Sequence, residues 1–227
     1  MSRSVLFDTE TTGLDPGAGD RVIEVAALEL VNDLPTGRQF HALVDPGRDI
    51  HEDAARVHGY SLADLRGKPR FEEVVHDLLG FLGDGRLIAH NAAFDFAFLD
   101  LEFSLLGLPR LDPARMLCTL ELARARYPGL PNSLDALCRR FGIDLSARTT
   151  HNALLDCRLL ADVYVELTGG RQRGLALGAA AQAGMPVFVY RAAAGPRVPR
   201  PILPSAAEFA AHAAFIARLP DPVWTAS

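Results

Sequence analysis

The sequence holds a single lysine, Lys68, and every other basic residue is arginine. Acidic residues outnumber basic ones 28 to 23, for a net charge of −5. A chain so balanced lacks the basic stripe with which a protein grips duplex nucleic acid unaided. It also lacks any apolar run approaching the roughly 18 residues that a membrane helix needs. A strand-like run begins at Ser4, leaving no room ahead of it for a secretory leader. Cysteine is scarce and odd in number: Cys118, Cys138 and Cys157 are scattered through apolar helical patterns. That spacing suits neither a disulfide framework nor a zinc site, and points to reduced thiols in the cytoplasm. What the chain has in plenty is apolar residues, 49% of 227, enough for one sizeable core with an appendage.

Against this background a few acids stand out. Asp8 and Glu10 lie in FDTETTGLD, Asp95 in HNAAFDFAFLD, and His151 and Asp156 in HNALLD. Asp8 and Glu10 follow the strand-like Ser4–Phe7 run, and their two-residue spacing puts both on one face of an extended chain. Gly13 then marks a turn. Leu87–Ala89 reads as a short buried strand, and Phe94, Phe98 and Leu101 keep helical spacing after it, so Asp95 falls in the first turn of a helix. Leu155, Leu159, Leu160, Val163 and Leu167 form a stripe on a helix over 152–167 that contains Asp156. His151 is five residues before Asp156, roughly 140° away on a helix. It therefore belongs on the preceding loop, free to approach a site that Asp156 helps build, as suits a general base. Each piece has a plainer reading: Asp8 and Glu10 as strand-end caps, Asp95 as a helix-dipole partner, His151 as a helix-start residue. Taken together, acids converging from three segments would repel one another and lose hydration. Divalent cations are the remedy, and metal-assisted attack of water on a phosphodiester is the chemistry that follows.

The coarse pattern predicts an α/β layer fold. Strands at 5–7, 22–30 and 40–44 suggest an antiparallel meander. A helix over 71–82 precedes the 87–89 strand, which then joins in parallel through a crossover. Helices are expected over 94–106, about 113–127, 133–141 and 152–167.

At this point the chain resembles a known family. DTE, then HNAAFD, then HNALLD, in that order, is similar to the DEDDh class of 3′-to-5′ exonucleases. Within that class, VIEVAALELVND, ARVHGYS, FLDLEFSLLG, NSLDALCRRFGID and RTTHNALLDCRLLADVYVELTGG resemble the epsilon proofreading subunits of bacterial DNA polymerase III. The resemblance runs from about Val5 to Gly170. It implies a ribonuclease-H-like mixed five-stranded sheet flanked by helices over residues 1–170. It implies two Mg²⁺ or Mn²⁺ ions held by Asp8, Glu10, Asp95 and Asp156, with His151 deprotonating the attacking water. It also implies that Thr9, Gly13, Leu14, His58, Asn91 and Phe94, with Asp8, Glu10 and Asp156, contact the terminal nucleotides; His58 in VHGY could equally stabilise a loop. The implied partners are a single-stranded or frayed DNA 3′ end, the polymerase alpha subunit, the sliding clamp and, where present, a small theta-like subunit.

Beyond Gly170 the composition changes. Residues 171–204 are rich in Gly, Ala, Arg and Pro, reading as a linker with a short β-prone island at 187–190. Gln172, Leu175 and Leu177 resemble a clamp-binding peptide, with Leu where an aromatic is often found; an ordinary linker is the alternative. Ser205 and Glu208 form a capping-box pattern ahead of a short amphipathic helix carrying Phe209, His212, Phe215, Ile216 and Leu219, closed by Pro220 and Pro222. A helix this short is marginal alone. Phe209, Phe215, Ile216 and Trp224 are therefore the expected contacts of residues 205–227 with a polymerase subunit, unless the helix folds back on the catalytic domain. A proofreading exonuclease is thus expected; a stand-alone exonuclease trimming RNA or short DNA, and a nuclease-fold tethering adaptor, are the alternatives.

Overall fold

In the computed structural model, which describes residues 2–148, 150–169 and 203–220, the frame is set by strand β1 (Arg3–Thr11). Its odd residues Val5 and Phe7 enter one apolar cluster and its even residue Leu6 enters another, so the strand is buried on both faces. Strand β2 (Val22–Val31) pairs with it antiparallel, and β3 (Leu34–Leu43) pairs antiparallel with β2. The β2–β3 turn has positive φ at Asn32 (52°) and Asp33 (65°), the conformation of a two-residue hairpin turn of type I′. That turn starts β3 at Leu34, six residues ahead of the Phe40 start expected from apolar pattern alone. The extra residues are the exposed LPTGRQ run, a solvent-facing edge whose pairing comes from the hairpin.

Strands β4 (Arg86–Ala89) and β5 (Met116–Cys118) extend the other side in parallel, for an order β3-β2-β1-β4-β5. The expectation of one helix over 113–127 is corrected here. Pro113–Arg115 is a 3-10 turn, β5 follows, and only Thr119–Arg126 is helical, as α5. A three-residue apolar run fits helix or strand equally well by periodicity. Pairing with β4 decides it, helped by the Arg115 guanidinium, which donates to the carbonyls of Gly85 (2.8 Å) and Gly83 (2.6 Å).

One sheet face is covered by α3 (Phe71–Leu82) and α4 (Ala92–Leu105), the other by α6 (Leu134–Phe141) and α7 (Ala153–Leu167). Two short helices, α1 (Glu52–His58) and α2 (Leu62–Leu65), lie between β3 and α3. The Arg21 guanidinium donates two hydrogen bonds (2.8 and 2.6 Å) to Glu102, a buried residue of α4, and Glu102 also accepts the Val22 N–H (3.1 Å). This locks α4 against the start of β2. Cys118, Cys138 and Cys157 are free thiols. No helix among the described residues is long and apolar enough to cross a membrane.

The chain divides into two units, Met1–Leu175 and Ala176–Ser227. In the second, α8 (Ala206–Ile216) begins at Ser205 with the expected capping box: Ser205 N–H donates to Glu208 (2.7 Å) and Glu208 N–H donates back to Ser205 Oγ (3.3 Å). Phe209 and Phe215 are exposed while Ile216 is buried. Gln172, Leu175, Leu177, the 187–190 island and Trp224 lie outside the described residues.

Candidate active site

Period-two alternation on β1 carries Asp8 and Glu10 to the sheet face packed by α7, where Leu6 also points. Thr9 points to the opposite face and meets α4: its N–H (3.0 Å) and its hydroxyl (2.8 Å) both donate to Asp95 Oδ1. Asp95 reaches this position because the chain turns sharply between β4 and α4 at Asn91, the helix N-cap, which is held at φ 68°. Asp156 sits in the first turn of α7, capped by the Asn152 side chain, which accepts the Leu155 N–H (3.0 Å). His151 is in the loop before that helix, as its spacing predicts, and its N–H donates to the Val57 carbonyl (3.1 Å). Ligand-type atoms of Glu10, His151 and Asp156 all lie within 4.8 Å of one another.

The electrostatics of this cluster are those of crowded, buried acids. Burial, with Asp95, Glu10, Asp156 and Glu24 nearby, pushes the Asp8 carboxyl well above the usual range. Burial and the charges of Asp156, Glu24 and Asp95 push Glu10 up to about 8. Burial pushes Asp95 up to about 7 even though both Thr9 donors favour its charged form. Asp156 goes the other way: burial opposes its ionisation, but contacts with His151 and Arg148 outweigh it and hold the group below its ordinary value.

Arg148 and Glu24 are the site residues that the motifs did not single out. Arg148 Nε donates to Asp156 Oδ1 and Nη2 to Asp156 Oδ2, both at 2.6 Å, while Nη1 donates to Asp135 on α6. Nη2 also lies 2.9 Å from His151 Nδ1. A guanidinium can only donate, so this Nδ1 accepts and the ring proton sits on Nε2. In that tautomer Nδ1, 3.4 Å from Asp156 Oδ2, has no proton to donate, so of the two neighbours of Asp156 the Arg148 guanidinium is the one that hydrogen-bonds the carboxylate. Glu24 is fully buried on β2, directly opposite Glu10. It accepts from Asn152 Nδ2 (2.9 Å) and Ala153 N–H (3.1 Å) and lies 2.7 Å from His41 Nε2, so it pins the start of α7 to the sheet. An acid inside the otherwise nearly continuous apolar run of β2 is the signal that could have found it.

Two cavities meet at the acids. One, of about 750 Å³, is lined by Thr9, Gly13, Leu14, His58, Asn91 and Phe94, bringing the expected nucleotide contacts to one place. Its wall includes the exposed side chains of Leu14 and Val57. Thr9 spends its N–H on Asp95 and so has no backbone donor left for a ligand. Gly13 packs so closely on Asp20 and His51 that a Cβ there would collide with both. His58 stacks on Tyr60 at 5.5 Å, its Nδ1 accepts the Tyr60 N–H (3.0 Å), and burial pushes its pKa down. The other cavity, of about 740 Å³, opens beyond Asp8 and Asp156 and is lined by His90, Arg124, Asn132 and Arg148. The Thr119 hydroxyl donates to the Ala89 carbonyl (3.1 Å) and lies 2.9 Å from His90 Nδ1, which it accepts from.

The donor set fits hard divalent cations. It consists of carboxylate oxygens with an imidazole at the rim, and acids held protonated near neutrality are relieved when a cation joins them. A mixed sheet with two such acids on its central strand and two on the helices beside it is the arrangement of a ribonuclease-H-like phosphodiester hydrolase. The chain belongs to the family described as Exonuclease, whose pattern matches residues 5–164. It is 50% identical over 173 residues to DNA polymerase III subunit epsilon of Rickettsia felis, covering 75% of this chain and 76% of that one. With the subunit of the same name from Escherichia coli K12 it shares 43% over 178 residues, 75% of this chain and 73% of the other. Among solved structures it is similar to exonuclease X in complex with 5′ overhanging duplex DNA, with a TM-score of 0.58, 28% identity, and coverage of 74% and 91%. The fold is also that of the nuclease domain of 3′hExo, a DEDDh family member bound to rAMP, at a TM-score of 0.62 and 17% identity, with coverage of 73% and 91%.

Proposed function

We propose that the protein is the 3′-to-5′ proofreading exonuclease subunit of a bacterial DNA polymerase III, removing mismatched nucleotides from a DNA 3′ end. The observation that carries this is the convergence of Asp8, Glu10, Asp95 and Asp156 on one cleft with His151 at its rim. The identity to epsilon subunits supports the polymerase context. Asp8, Glu10, Asp95 and Asp156 would hold two divalent ions, Mg²⁺ or Mn²⁺. When bound, these ions supply charge stabilisation for the attacking and leaving oxygens of an in-line displacement.

The chain's own residues then have distinct tasks. Leu14, Val57 and Phe94 offer an apolar wall against which the terminal base packs. His58 and Asn91 border the same space and orient the sugar and base. His151, half-exposed on its loop, takes the proton from the attacking water. Thr9 keeps Asp95 aimed at the cleft, and Glu24 keeps the start of α7 in register with β1.

With no basic excess to hold DNA, the strand is delivered by partners: the polymerase alpha subunit through residues 205–227, the sliding clamp through Gln172, Leu175 and Leu177, and a theta-like subunit where one exists. The work is done in the cytoplasm. The exposed Phe209 and Phe215 on α8 favour this tethered reading over a stand-alone nuclease. The deciding experiment compares hydrolysis of mismatched DNA primers with that of matched primers and RNA oligomers, using the chain in complex with its polymerase subunit. Preference for the mismatched DNA end is expected; faster cleavage of RNA would replace this reading with an RNA-trimming enzyme.

A further inference from the structure

Arg148 is the one cation that reaches into the acid cluster among the described residues. Its side chain is only 7% exposed and it meets both oxygens of Asp156 as a fork. Charge-assisted pairs of this geometry are among the strong hydrogen bonds of proteins. The same guanidinium is within hydrogen-bonding distance of His151 Nδ1. It thus engages the acid of α7 and a ring nitrogen of the base at once. Its remaining arm rests on Asp135, a residue of α6 that is 39% exposed and lies outside the acid cluster.

A divalent ion and this guanidinium compete for one carboxylate. Each oxygen of Asp156 already accepts a short charge-assisted N–H bond, and a cation drawn to those oxygens meets the guanidinium's positive charge at close range. We propose that Arg148 is a displaceable latch: its fork holds Asp156 and His151 until a divalent ion claims Asp156, whereupon the guanidinium retires onto Asp135. The inference rests on reading Asp156 as a metal ligand. Its consequence is that the metal affinity of the site is set partly by the cost of breaking the fork, and that His151 Nδ1 is released in the same event. Asp135 is what makes the exchange affordable, because a buried charge leaving one partner without another would be strongly penalised.

The test separates the fork from the bare positive charge. Arg148→Lys keeps the charge but cannot make two parallel bonds to one carboxylate. Mn²⁺ binding to the full chain, followed by calorimetry at constant pH, is expected to be tighter in Arg148→Lys by about fivefold or more, the lower end of coupling between linked sites. Affinity equal to or weaker than wild type overturns the latch. In the wild-type chain, the Arg148 Nε–H resonance, assigned by its loss in the lysine variant or by selective labelling, should move on titration with Mg²⁺; a resonance that stays in place also overturns it. Asp156→Ala serves as the reference: it should lose Mn²⁺ affinity outright. If it does not, the metal reading of Asp156 has failed rather than the latch.

Discussion

At the residue scale, the site is a store of unfavourable charge. Glu10 is held at about 8 against an ordinary 4.5, and Asp95 at about 7 against 3.8. Folding therefore favours the protonated forms. For an acid raised in this way, the favourable contribution is fully present below its unfolded value and is lost as pH climbs towards the folded one. Each unit is worth about 1.4 kcal/mol, or about 3–6 °C in melting temperature for a chain of this size. The protein in chelator should thus melt at progressively lower temperature from about pH 4.5 to about pH 8, and millimolar Mn²⁺ should remove most of that slope. A chelated protein whose melting temperature is flat over that interval would contradict the crowded-acid picture. Replacing Asp8, Glu10, Asp95 or Asp156 by Ala should each abolish most Mg²⁺-dependent hydrolysis. His151→Ala should cost on the order of 10²–10⁴-fold, the usual range for a lost general base. Both are read from single-turnover rates on a short DNA strand, and an active Asp156→Ala enzyme free of wild-type contamination would remove the assignment.

At the element scale, what matters is how α7 is fixed. Asp156 is useful only because the first turn of α7 lies against β1, and Glu24 on β2 makes the tie through Asn152 and Ala153. A glutamine there keeps the shape but turns one acceptor into a donor facing other donors. Glu24→Gln should therefore cost about 1–3 kcal/mol of stability, the scale of a buried group left unsatisfied, measured by urea denaturation. It should also lower the hydrolysis rate at saturating metal, because the helix carrying Asp156 shifts. Stability loss with an unchanged rate would make Glu24 a purely structural residue. The elements themselves were legible to different degrees. The helix over 71–82 falls where its apolar spacing puts it, and His151 lies ahead of α7 as the angular argument requires. Strand β5 was not legible, because three apolar residues carry no period of their own and become a strand only through pairing with β4. The early start of β3 depends likewise on the Asn32-Asp33 turn, which the apolar pattern of the strand does not reveal.

At the scale of the whole molecule, catalysis and attachment are assigned to different stretches of chain. The linker expected over 171–204 from its composition would, on the proposed reading, raise the local concentration of an anchored exonuclease at a frayed primer end. A chain ending at Gly170 should hydrolyse single-stranded DNA at near the full rate yet fail to co-purify with the polymerase subunit; undiminished co-purification would place the anchor in the catalytic unit. Changing Gln172, Leu175 and Leu177 together to Ala should weaken clamp binding and leave hydrolysis of short DNA unchanged, and equal clamp affinity would withdraw that peptide. The sequence by itself set the local placement of the candidate acids, because the strand period puts Asp8 and Glu10 on one face of β1 and the apolar spacing puts Asp95 and Asp156 within helices. It also determined the parallel crossover and the capped tail helix, both being local or chirality-limited features. Only the tertiary structure decided the roles of Arg148 and Glu24. Both lie inside stretches that carry the family resemblance, but spacing assigns neither a role, and each acts by tertiary contact: Glu24 reaches α7 across some 130 positions of chain, and the Arg148 loop folds its guanidinium back over Asp156 and Asp135 together. Such pairings are set by how layers pack, and packing is a property of the whole chain that no local pattern encodes.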